Sequence, residues 1–255
     1  MLKSLYFLLY LLIIPTVFAG KGRTDFSIFI DQEDELFLKA GLIVPDGRSW
    51  LKQSLLWGPA SLANYVQLIK QKKNRPVVDH EKLVKAVAQA STQMSSSGVN
   101  IVKGLTANEF IKFSDIFLRK LVPGTKFKGE YEGTNNGVDT DTLFSDAPSI
   151  VILKFSSHGA LGQKIFDPNE DNYIFIKENG QMYGHLYFLK VKADKEQRKL
   201  WLIDPSNPSD WTIVTLSPSL GVSSTDSFDM GAIDRWAVGS FIKWNLVGNL
   251  VPSIH

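Results

Sequence analysis

Two periodicities divide this chain, and their order limits what it can fold into. Before Gly133 the apolar residues recur at helical spacing. Beyond it they fall into short runs rich in β-branched and aromatic residues. Helices first and an antiparallel sheet second predict an α+β architecture in one domain. At 255 residues the chain is long enough for one full core, or for two small ones at most. No internal repeat or low-complexity linker interrupts it.

The helical half carries recognisable start and stop signals. Trp57-Gly58-Pro59-Ala60-Ser61 reads as a loop entering a helix. Gly58 frees the backbone there, Pro59 suits a first helical position, and the helix runs to about Lys72. The basic run from Lys70 to Arg75 is expected to be a solvated helix end. Asp79 caps a second helix to about Gln93, broken by Ser95-Ser96-Ser97-Gly98. Thr106-Ala107-Asn108-Glu109 is a capping box for a third, with Phe110, Phe113, Phe117 and Leu121 as its apolar stripe. Asp25 to Asp31 alternates like a short strand, and Pro45-Asp46-Gly47 has turn chemistry. Five strands are expected at Ser149–Phe155, Asn172–Lys177, Gly184–Ala193, Leu200–Ile203 and Trp211–Leu216, with a charged hairpin from Asp194 to Lys199. Residues 217 to 233 read as a Ser/Asp/Gly-rich loop, and Asp234 to Val247 fits either a helix or a strand.

The first nineteen residues read as a signal peptide. Lys3 supplies the positive start, Leu5 to Phe18 the apolar run, and Val17-Phe18-Ala19 the small residues of a cleavage site. Cleavage after Ala19 would leave residues 20–255 as the exported domain, in the periplasm or outside the cell. No other segment is long and apolar enough to span a membrane. With 28 basic and 26 acidic residues, net charge is +2, which gives no electrostatic basis for nucleic-acid binding. The chain has no cysteine, so disulfides, thiolate metal sites and thiol chemistry are excluded. Four scattered histidines without ligand spacing point to no metal, and no cofactor motif is present.

Three pieces stand in the order in which an acyl-transfer site is built. Trp57-Gly-Pro-Ala-Ser opens a helix, Gly184-His185-Leu-Tyr-Phe-Leu-Lys-Val begins a strand, and Leu202-Ile203-Asp204-Pro205-Ser206-Asn207 ends the next. A helix start favours negative charge, an imidazole takes a proton, and a carboxylate orients the imidazole. Together with Pro148-Ser-Ile-Val-Ile-Leu, these pieces resemble the papain-like cysteine peptidases of the bacteriocin-leader-processing (C-thirty-nine-like) type, over roughly residues 50 to 216.

The resemblance implies a papain-like fold, with Trp57 in the nucleophile position and His185 and Asp204 as base and orienting carboxylate. It further implies an oxyanion-hole glutamine, for which Gln53 is the candidate, although it lies four residues before Trp57 where the family usually has about six. An indole cannot attack a carbonyl, so the implied protein is a pseudo-peptidase. It would bind a peptide or extended chain in the remnant cleft through Trp57, Gly58, Ser61 and His185. Two other expectations stand beside it: a hydrolase using Ser61 or, from the loop, Ser54 as an equal candidate; and a structural or interaction protein of the envelope in which Trp57 merely fills the core.

Asp204 also suits a plain turn cap for Pro205-Ser206. The stretch Ser156 to Tyr183 lengthens the approach to His185, and its His158 reads as a surface-loop residue. Asp167-Pro-Asn169-Glu-Asp171-Asn172 lacks the glycine and closing glutamate of a calcium loop and reads as an acidic turn. His80 and His255 are expected to be solvated.

Overall fold

A computed structural model of the chain describes residues 24–43, 56–101, 104–121, 127–133, 139–158, 176–178, 181–225 and 235–246. The signal segment, Pro45-Asp46-Gly47, Gln53, Ser54, the Asp167–Asn172 turn and His255 lie outside the described residues. The helices are α1 (Glu35–Lys39), α2 (Trp57–Lys72), α3 (His80–Ser95), α4 (Ala107–Leu121) and the single turn α5 (Thr140–Leu143). The strands are β1 (Phe127–Gly133), β2 (Ser149–His158), β3 (Ile176–Glu178), β4 (Gln181–Asp194), β5 (Lys199–Asp204), β6 (Asn207–Leu216), β7 (Val222–Thr225) and β8 (Arg235–Leu246). The described fold is therefore α+β, with the larger helices before an antiparallel sheet.

Strand order is β1-β8-β2-β4-β5-β6-β7, and β3 pairs with β4 as well. Every described pairing is antiparallel. The β4–β5 and β5–β6 connections are hairpins, which need only short turns. The last strand, β8, inserts between β1 and β2 and so ties the C-terminal part of the chain to its middle.

The predicted caps form. The Asp79 side chain accepts from the Glu81 and Lys82 backbone N–H groups at the start of α3. The Glu109 carboxylate accepts from both the N–H and the hydroxyl of Thr106. Gly98, with φ +81°, takes the left-handed conformation that ends the chain path of α3. Phe110, Phe113 and Phe117 are wholly buried, as their spacing predicts.

Several expectations need correction. Phe26–Ile28 is a 3₁₀ turn, not a strand, because the Asp25 carboxylate accepts from the Ser27 N–H and hydroxyl and curls the backbone. β1 alternates only Phe127 and Tyr131 with charged residues, a pattern that Gly129 and Gly133 dilute, and it is not among the expected strands. β7 forms inside the expected loop, and the undecided C-terminal segment is a strand. The described part of the Asn172–Lys177 strand is Ile176–Glu178. Lys70 is buried, whereas Lys72, Lys73 and Asn74 form the expected exposed helix end. His80 is bonded through Nε2 to the Ile28 carbonyl at 2.9 Å. His158 ends β2 opposite Gln181, so it belongs to a strand rather than to a loop.

α2 is the centre of the molecule. It buries most of its circumference, polar residues included. Two of its buried side-chain amides bond to backbone outside the helix. Asn64 accepts from the Ile30 N–H at 2.7 Å and donates to the Ile30 carbonyl at 3.0 Å. Gln67 does the same for Val78, at 2.8 and 2.7 Å. Two side-chain amides thus act as strand partners for two flanking segments that would otherwise carry unsatisfied backbone into the core.

Candidate functional site

β4 is paired on one side by β2 over Gln181–Lys190, from His158↔Gln181 to Ser149↔Lys190. Its other side is shared. β3 pairs with Gln181–Tyr183, and β5 with Leu189 onward. The stretch from Gly184 to Phe188 lies between those two pairings. The start of α2 docks there. The Ser61 hydroxyl donates to the Tyr187 carbonyl at 2.9 Å. Gly58 lies against Tyr187, and the Trp57 ring meets Phe188 edge to face with centroids 5.6 Å apart. Tyr187 and Phe188 are successive residues, whose side chains leave a strand on opposite faces, so the helix start straddles β4.

Gly58 is needed here for space rather than for backbone freedom. It sits inside the helix, and a Cβ at this position would stand 2.9 Å from Phe110 Cδ2. Tyr187 fixes the same corner from the other side, its hydroxyl donating to the Leu105 carbonyl at 2.8 Å.

Trp57 is 8 % exposed and therefore offers an edge, not an open stacking face. Ser61 is wholly buried with its proton given to a carbonyl. It has no access to a ligand, and the base a serine nucleophile needs is not its partner. The expectations that Trp57 presents a binding face and that Ser61 contacts ligand both meet this burial: helix α2 turns these residues into the sheet.

His185 is described by its backbone. It pairs with Lys154 of β2 and lies two residues before the carbonyl that Ser61 binds. Asp204 ends β5. Leu189 pairs with Ile203, so the positions just before Leu189 and just after Ile203 are neighbours across the two strands. Positions 57 and 204 therefore both neighbour Phe188 of β4, three residues along that strand from position 185.

Asp204 is half-buried, and its Oδ1 accepts from both the N–H and the hydroxyl of Ser206 at 2.7 Å. Burial raises its carboxyl above the usual range, the Ser206 hydrogen bonds oppose that rise, and Asp31 adds to it. The carboxylate is thus committed to the turn after β5.

A residue not singled out from sequence lies against the same turn. The Gln32 backbone N–H donates to the Pro205 carbonyl at 2.8 Å. Its side chain is wholly buried, and neither Oε1 nor Nε2 has a hydrogen-bond partner. Nothing in Asp31-Gln32-Glu33 signals this, because a polar triplet reads as solvent-exposed.

No group of three or more His, Cys, Asp or Glu among the described residues is placed to hold a metal ion, and no described helix is long and apolar enough to cross a membrane. Comparison with protein-family models, curated proteins and solved structures returns no match.

Proposed function

We propose that this chain is a non-catalytic relative of the papain-like peptidases, exported after cleavage at Ala19, that binds a peptide or other extended chain beside β4. The observation that carries this reading is the docking of the start of α2 on β4, with Trp57 against Phe188 and the end of β5 beside it. An indole at position 57 leaves the arrangement without a nucleophile. An extended ligand is held there against Trp57 and its aromatic neighbours.

The test is binding of the purified protein to an array of unstructured peptides, with Trp57→Phe and Trp57→Ala as variants. Binding is expected to weaken in Trp57→Ala and to be partly kept in Trp57→Phe. Binding that a folded Trp57→Ala variant leaves unchanged counts against the reading. Amino-terminal sequencing of the exported form is expected to begin at Gly20.

A second reading rests on the burial of Trp57: the site is filled, and the protein is a structural or interaction component of the envelope. An array without any binder favours it over the first. The hydrolase alternative is disfavoured by the burial of Ser61, and fluorophosphonate probes are expected to leave that serine unmodified.

A further inference from the structure

We propose that the segment Thr140–Asp146, containing α5, is a proton-sensitive strap that detaches from the sheet more readily when Lys190 beneath it is protonated. Lys190 is wholly buried in the middle of β4, paired with Ser149 of β2 and Leu202 of β5. Its Nζ donates to the Leu143 and Ser145 carbonyls of the strap, both at 2.8 Å. Lys72, at the end of α2, adds weaker contacts to the Asp146 and Val191 carbonyls at 3.4 and 3.2 Å. Two outer contacts hold the strap as well: the Lys195–Asp141 ion pair and the Arg198 guanidinium over the Phe144 ring.

The site beneath the strap is incompletely matched. Ser149, directly across from Lys190, has a buried hydroxyl without a partner. An ammonium carries three donors, and two carbonyls take two of them. The charged groups acting on Lys190 are Asp146 of the strap, which favours the ammonium, and Lys72 of α2, which opposes it. β2 and β5 contribute the neutral Ser149 and Leu202.

The direction of the switch follows from linkage. Burial is the largest influence and pushes Lys190 down to about 8. A lysine in water titrates near 10.4, so lifting the strap restores proton affinity. Protonation therefore favours the lifted state, even though the ammonium makes the stronger hydrogen bonds. Between these two values the ratio of lifted to docked strap falls with rising pH, by about fivefold from pH 8 to pH 9, because the lifted state then holds the proton more fully than the docked one.

Hydrogen exchange of the full chain reads this at Leu143, Phe144 and Ser145, whose N–H groups bond to the Asp139, Thr140 and Thr142 carbonyls. In Lys190→Met the proton-linked change is absent. The ratio of the Lys190→Met exchange rate to the wild-type rate at these amides is expected to rise about fifteenfold in all from pH 8 to pH 9.5. A ratio that stays constant over that range overturns the proposal. Should Lys190→Met not fold, the ¹³Cε resonance of Lys190 in the wild-type protein decides. Titration near 8 supports the strap, and titration at the value of an exposed lysine rejects it.

Discussion

Gly58→Ala adds a single methyl group to the most crowded corner of the molecule. The new Cβ would stand 2.9 Å from Phe110 Cδ2, 3.1 Å from its Cε2 and 3.6 Å from Tyr187 Cδ2. Contacts under 3 Å require something to move, and Phe110 has nowhere to go. It is wholly buried, with Tyr187 at 4.6 Å and Phe113 at 6.5 Å between ring centroids. Overpacking of this kind costs about 1–3 kcal/mol. Alanine returns up to about 1 kcal/mol through its helix propensity, and less than that in a first turn. The net loss is about 1–2 kcal/mol, which lowers Tm by roughly 2–8 °C for a domain of this size. Thermal unfolding followed by circular dichroism measures it, and repetition in a Phe110→Leu background should shrink the loss, because the two sites share one contact. A Gly58→Ala protein as stable as wild type, or more so, refutes the packing argument and returns this glycine to a purely conformational role.

Other substitutions test the remaining contacts. Asn64→Ala strips two hydrogen bonds from the buried Ile30 backbone and is expected to cost about 2–4 kcal/mol in urea unfolding, among the largest effects of any polar residue. Ser61→Ala removes the bond to the Tyr187 carbonyl at a cost of about 1–2 kcal/mol, with no loss of any hydrolytic activity. Gln32→Met keeps the volume and removes an unpartnered amide, so Tm should rise or hold; a clear fall means that a bound water serves that amide. Asp204 has a raised carboxyl, so its buried charge weakens the fold as pH climbs from the ordinary aspartate range through the raised value. Asp204→Asn keeps an acceptor for Ser206, and its stability relative to wild type should therefore increase between pH 3.8 and neutrality.

The helical half of the fold was legible because its signals are local. Asp79, the Thr106–Glu109 box and the phenylalanine stripe of α4 act within one or two turns of the chain. The sheet was legible only where alternation or β-branching marks a strand. β1, Phe127-Lys-Gly-Glu-Tyr-Glu-Gly, has no β-branched residue and an alternation weakened by two glycines, and its pairing with β8 is decided by residues more than a hundred positions away. At the site, the β4–β5 hairpin, legible in the charged turn between the two strands, sets the end of β5 beside Phe188. What the motifs did not carry is which way the helix faces. Asn64 and Gln67 look like surface residues on a helix of mixed character, yet they bond to backbone brought in from outside the motif. The burial of Ser61 and Trp57 comes from that wrapping. Gln32 stayed hidden for the same reason.

The placement of β8 has a consequence for how the protein is made. A ribosome delivers β2 long before it delivers Arg235–Leu246, the strand that occupies the slot between β1 and β2. Throughout that interval two strand edges stand bare, one of them along the apolar run Ile150–Leu153, and bare edges recruit neighbouring chains. Nascent molecules truncated before residue 235 should aggregate, whereas the finished polypeptide, once its closing strand slides home, should not.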